Sequence, residues 1–194
     1  MTPASKSLLI PLLALVGCTS VPEAPIRTEP RVDLERFMGD WYVIANIPTF
    51  LERGAHNAVE SYRLAADGTI ETTFTFRADG FDGPLKKMTP RGYVIDRESN
   101  AVWGMQFVWP VKADYRIVYV SGDYSQTIIG REARDYVWIM ARTPQIRESD
   151  YQRLVEIIRE QGYDVSRIER VPQSWPSTGR AGNDLAPIPD GAEG

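Results

Sequence analysis

The chain has 194 residues, with 43% hydrophobic and 25% charged side chains, enough for one domain with a sizeable core and unlike a disordered polyelectrolyte. A formal net charge of −4 offers no concentrated basic face, which excludes nucleic acid as a partner. Cys18 and His56 are the sole cysteine and histidine, so internal disulfides and a zinc site of three or four such ligands are excluded; no EF-hand spacing occurs, and no metal or cofactor is expected.

In chain order, residues 1–17 read as a signal peptide. Lys6 supplies the positive region, and Leu8 to Val16 form an apolar stretch interrupted by Pro11. This is far short of the roughly 20 residues that a spanning helix needs. Leu15-Val16-Gly17-Cys18 resembles the lipobox of bacterial lipoproteins, which implies cleavage before Cys18 and acylation of its thiol. Acyl chains contribute about 0.8 kcal/mol per buried CH₂, so two or three would anchor the protein stably. Residues 18–30 then read as the lipidated cysteine plus a flexible, Pro-rich linker. Position 19 is Thr rather than Asp, which by the same resemblance implies sorting to the outer membrane, facing the periplasm.

From Trp41 onward, β-rich runs alternate with turn signals. Strands are predicted near 41–47, 58–64, 69–77, 85–95, 101–109, 115–121, 126–131 and 136–142, joined mostly by hairpin-short Gly, Asp and Asn turns. The exception is 48–57, a longer segment free to cover an opening. Period-2 alternation puts Phe74 and Phe76 on one face, Phe107 and Trp109 on another, and Tyr136, Trp138 and Met140 on a third. Gathering such faces inward predicts a mainly β fold, an eight-stranded antiparallel up-and-down barrel. Its interior is either filled or holds a small apolar ligand, and periodicity does not choose between them.

Ser149 and Gln152 suggest a capping box for a helix whose apolar stripe is Tyr151, Leu154, Val155 and Ile158, ending at Gly162. This helix is predicted to pack outside the barrel, with a short strand near 168–171 after it. The barrel domain is bounded at 31–172, and the Pro-, Gly- and Ser-rich tail 173–194 is expected to be disordered.

Three blocks then stand in order. Gly39-Asp40-Trp41-Tyr42 follows a helical turn over 32–37, Gly122-Asp123-Tyr124 joins two late strands, and Trp138-Ile139-Met140-Ala141-Arg142-Thr143-Pro144 ends the last. Together they resemble the lipocalins, although the second block has Gly where the family has Thr. Ile47-Pro48, Glu52-Arg53-Gly54 and 135–139 narrow the resemblance to the bacterial outer-membrane lipoproteins of Blc type, which are similar to apolipoprotein D. The resemblance implies a cavity for a fatty acid or lysophospholipid and a role in envelope lipid storage, transport or maintenance. It makes Gly39, Trp41 and Arg142 structural residues of the closed barrel end, with Arg142 over Trp41. Trp138 becomes the best candidate for the cavity wall, with Met140, Tyr136, Phe107, Trp109, Phe74 and Phe76 following from alternation. Lys112 and Arg116 read as solvated rim charges. Exposed apolar positions on a tethered barrel leave a homodimer open.

Catalysis has little to build on. His56 lies in a loop, no G-x-S-x-G elbow is present, and Gly80-Phe81-Asp82-Gly83 lacks the Lys and helix of a phosphate loop. No enzyme is expected. The alternatives are a structural envelope lipoprotein with a filled barrel and an unrecognised enzyme on this fold.

Overall fold

The computed structural model describes residues 24–176; Cys18, the signal peptide and residues 177–194 lie outside them. Helix α1 (Leu34–Phe37) opens the fold, with the Asp33 carboxylate accepting the Arg36 amide at its N-terminus. The strands that follow are β1 (Gly39–Ile47), β2 (Ala55–Leu64), β3 (Ile70–Ala78), β4 (Leu85–Met88), β5 (Arg91–Val94), β6 (Val102–Val108), β7 (Val111–Val120), β8 (Gln126–Gly130) and β9 (Val137–Ala141). Helix α2 (Glu148–Glu160) and the two-residue β10 (Glu169–Arg170) complete it. Neighbouring strands pair antiparallel, and β9 returns to pair with β1, so the sheet closes.

The eight expected strands are all present, two of them altered. The run 85–95 is divided into β4 and β5, both paired with β3, because Pro90 has no N–H for the ladder. Its carbonyl still accepts the Thr72 amide at 3.2 Å, so the two halves act as one barrel strand. Strand β7 begins at Val111, four residues before the prediction, because the β6–β7 turn consumes only Trp109 and Pro110. β10 pairs outside the closure, on β1.

Two apolar clusters share the barrel wall. Inside lie Trp41, Val43, Tyr62, Trp103, Met105 and Met140. Outside, Tyr42, Ile44, Ile128, Val137 and Ile139 pack under Leu154 and Ile158 of α2. Strands β1 and β9 are therefore buried on both faces and read as continuous apolar runs. The capping-box expectation is corrected: the N-cap is Arg147 and makes no side-chain cap bond. The helix starts two residues early because Arg147 pairs with Asp150 at 2.9 Å and the Gln152 side chain donates to Glu148 instead of accepting the Ser149 amide.

Both expected boundaries shift outward. In the linker, Ile26 is buried in the outer cluster, the Arg27 amide donates to Gln161 at 2.8 Å, and Glu29 exchanges bonds with β7. Ala24 to Pro30 is thus docked on the barrel rather than flexible, since an apolar side chain within a polar stretch found a hydrophobic seat. At the other end, the Gln173 amide donates to the carbonyls of Val43 and Ala58 at 2.8 and 3.0 Å, and Trp175 stands edge-on to Tyr42. Residues 173–176 therefore belong to the packed domain.

One barrel end is plugged. The Arg142 guanidinium lies 3.7 Å over the Trp41 ring. It donates to the carbonyls of Arg36, Phe37, Met38 and Asp40 at 2.8–3.0 Å, with a longer bond of 3.3 Å to Tyr124. Gly39 has φ +92, and a Cβ there would sit 3.4 Å from Arg142 Nη1. Trp41→Ala should cost about 3–5 kcal/mol in urea unfolding, as expected for truncating a fully buried large side chain. A loss below about 1 kcal/mol would show that the plug carries little of the stability.

Candidate functional site

The interior is filled at the plugged end and hollow towards the other. Phe37, Trp41, Tyr62 and Trp103 pack ring against ring there, with centroids 5.1–5.8 Å apart. Trp103 also stacks on Tyr115 at 5.2 Å. Above this layer lies a cavity of about 190 Å³. Its wall draws on β2, β3, β4, β6, β7 and β9, with residues 49–52 of the β1–β2 loop beside them. The longer first loop thus covers the opening.

Of the residues expected in the wall, Phe74, Phe107, Tyr136 and Trp138 line the cavity. Met140 and Phe76 are inside the barrel but away from it. Met140 sits deeper, opposite Val43 in the filled half, and Phe76 is buried with its ring 5.3 Å from that of Phe74. Trp109 is corrected outright. It is 82% exposed, because β6 ends at Val108 and the chain turns at Pro110, so alternation no longer applies to it. Phe50, Phe107, Val108 and Val111 are exposed as well, giving the open end an apolar rim.

Trp138 is held by the loop: its indole N–H donates to Glu52 Oε2 at 2.9 Å, and the Asn46 amide donates to the same oxygen at 3.0 Å. Burial pushes the Glu52 carboxyl above its usual range despite these donors. A second carboxyl, Glu60, also lines the cavity. Burial is the main reason that it is pushed up to about 7; Glu52 adds to the rise, and a hydrogen bond with Tyr62 opposes it. The Tyr62 and Tyr115 hydroxyls are themselves bonded at 2.6 Å. Arg131 lines the cavity too, paired with Asp135 at 2.9 Å while its Nε is buried without a partner.

None of Glu60, Glu52 and Arg131 was singled out from the sequence as a wall residue. Glu60 carried a signal: Ala58, Glu60 and Tyr62 share the inward face of β2, and an acid at such a position is conspicuous. The rim charges are engaged elsewhere, Arg116 with Asp114 and Glu132, Lys112 over the Tyr93 ring. His56 stands on β2 with its ring edge-on to Phe81 and its Nδ1 2.9 Å from the Gly54 carbonyl, and is not part of the cavity wall. Among the described residues no cluster of His, Cys, Asp and Glu suits a metal ion, and no helix is long and apolar enough to cross a membrane.

Residues 32–173 match the family model described as a lipocalin-like domain. The chain is similar to temperature-induced lipocalin-1 of Arabidopsis thaliana, with 34% identity over 152 residues, covering 74% of this chain and 80% of that protein. It is also similar to outer membrane lipoprotein Blc of Escherichia coli (strain K12), with 26% identity over 176 residues, covering 85% and 97%. Among solved structures, insecticyanin from the tobacco hornworm Manduca sexta shares the fold, with a TM-score of 0.62, 13% identity and coverage of 77% and 85%.

Glu60 gives a stability prediction whose sign follows from its raised carboxyl. Below the ordinary value of 4.5 it is protonated both folded and unfolded, and it costs nothing. As pH rises from there to about 7, the unfolded chain releases the proton and the folded one keeps it, so stability falls. The gain from Glu60→Gln should grow from near zero at about pH 4 to about 1–3 kcal/mol at about pH 8. Urea unfolding of both proteins at each pH measures it, and a gain independent of pH would contradict the raised carboxyl.

Proposed function

The chain belongs to the lipocalin family, and on that premise we propose that it is a lipid carrier rather than an enzyme, taking a fatty acid or lysophospholipid into its barrel for envelope lipid storage, transport or maintenance. The observation that carries this reading is the cavity itself, walled by Phe74, Phe107, Tyr136 and Trp138, plugged at one end and loop-covered at the other. Burial of apolar area contributes roughly 25 cal/mol per Å², so an acyl chain is a natural occupant. The exposed apolar rim of Phe50, Val108, Trp109 and Val111 supports passage of a lipid between a membrane and the cavity. No nucleophile–base pair accompanies the lining carboxyls, and His56 is engaged away from the wall, which supports a binding role.

Anchoring at Cys18 in the outer membrane, facing the periplasm, belongs to the same proposal. It rests on the lipobox-like sequence before Cys18 and on the similarity to a relative named an outer membrane lipoprotein. Docking of Ala24 to Pro30 on the barrel leaves only residues 19–23 between Cys18 and the domain, which would hold the barrel close to the bilayer.

Lysophospholipid titrated into delipidated protein should produce a saturable change in Trp fluorescence. Trp138→Ala should weaken that binding by about tenfold or more while destabilising the fold less than Trp41→Ala. The opposite ranking would mean that the two barrel ends have been assigned the wrong roles. Cys18→Ser should move the protein from the membrane fraction to the soluble one with its barrel folded, and continued membrane association would refute the anchor.

A further inference from the structure

We propose that the floor of the cavity is a receptor for an amphiphile whose polar end donates hydrogen bonds and carries no negative charge, such as a long-chain amine or alcohol, seated on Glu60 with its chain towards the mouth. This rests on the lipid-carrier reading of the barrel, and where Glu60 is ionised it puts such an amphiphile ahead of a fatty acid as the preferred occupant.

Glu60 stands where the filled half of the barrel ends. It lies opposite Trp41 on one side and Phe74 on the other. Two residues on along the same face of β2, Tyr62 bonds to the Tyr115 hydroxyl at 2.6 Å, and its phenol acts on the Glu60 carboxyl as a hydrogen-bond donor. A phenol has one proton, so when Glu60 is ionised Tyr62 donates to Glu60 and must accept from Tyr115. That relay supplies one donor to a carboxylate that has about four acceptor positions. No ion pair among the described residues includes Glu60 or Glu52. The cation lining the same cavity, Arg131, is paired with Asp135. The other acid of the wall, Asp114, is held by Arg116.

Three occupants can be weighed against this floor. A hydrocarbon end pushed inward would strip Glu60 of water and give it no donor in return. A carboxylate pushed inward would meet the Glu60 carboxylate when that group is ionised, a like charge in a cavity of low polarity. A hydroxyl or ammonium supplies the missing donors, and an ammonium also gains from the surrounding rings of Phe74, Tyr115 and Trp138. The third arrangement alone satisfies the floor, and it leaves the alkyl chain against the apolar wall and rim.

The test uses the delipidated mature chain and four probes, dodecylamine, dodecanol, dodecanoate and a lysophosphatidylcholine, each titrated below its micellar range with Trp fluorescence as readout. At about pH 8 the amine and alcohol should bind at least about tenfold more tightly than dodecanoate, and Glu60→Gln should bring the three together. The wild-type amine preference should also shrink as pH falls through about 7, where Glu60 takes up its proton, which keeps the test decisive should the variant fail to fold. Glu52 and Tyr62 act directly on Glu60, with Tyr115 bonded behind Tyr62 and Asp114 and Arg131 in the same wall, and Glu52→Gln with the floor intact should retain the preference. Dodecanoate binding as tightly as the amine, or a preference untouched by Glu60→Gln and by pH, overturns the headgroup inference. Saturable lysophosphatidylcholine binding in that case leaves the carrier reading standing, whereas no binding by any of the four overturns both.

Discussion

The whole arrangement depends on where the Arg142 guanidinium is put. Its fixed N–H donors demand acceptors once they leave water: the carbonyls of Arg36, Phe37 and Met38 share Nη2, Asp40 accepts from Nη1 and Tyr124 from Nε. Those carbonyls belong to the end of α1, the start of β1 and the β7–β8 turn, so one side chain ties three separate segments across the closed end of the barrel. Burial lowers the guanidinium to about 10, which leaves it charged at neutral pH. The Trp41 ring beneath it is satisfied in turn, its indole N–H donating to Phe37 O at 2.9 Å. Arg36 over Tyr124 and on Gly122 O completes the joint.

A plug of this kind imposes a direction on the interior. Large rings fill the space next to Trp41 with centroids 5.1–5.8 Å apart, and hollow space begins only where β2 turns Glu60 inward. The cavity therefore has unlike ends. Its floor is acidic and hydrogen-bonded through Tyr62 and Tyr115, its mouth is apolar and covered by the loop carrying Glu52, and Arg131 stands in the wall with one N–H unmatched. Packing and electrostatics thus act together, since the same burial that closes the barrel is what raises the Glu60 carboxyl.

Much of the architecture was legible because it is written in local signals. Alternation in β3 and β9 identified Phe74 and Trp138 as inward, and helical spacing placed Leu154 and Ile158 on the outer face. The question that periodicity left open, a filled barrel or a hollow one, is resolved as half of each, because alternation marks which residues point inward but not how much space they leave. Trp109 failed for a related reason: a period has no way of announcing that Pro110 ends the strand beside it. The docked segments around Ile26 and Gln173 were read as free chain because their contacts are made with residues more than a hundred positions away. Ser149 looked like a cap because the Arg147–Asp150 pair that displaces it depends on how the chain leaves β9. Glu60 is hard to recognise because apolar alternation does not register a polar residue that shares the apolar face.

The central claim is that the hollow half of the barrel holds a lipid while the plugged half holds the fold. Native mass spectrometry of the protein, purified under mild conditions, tests this most directly. The account predicts a species heavier than the ligand-free chain by one single-chain lipid, released on unfolding. A bare chain that also gains no mass when incubated with lysophospholipid would contradict it.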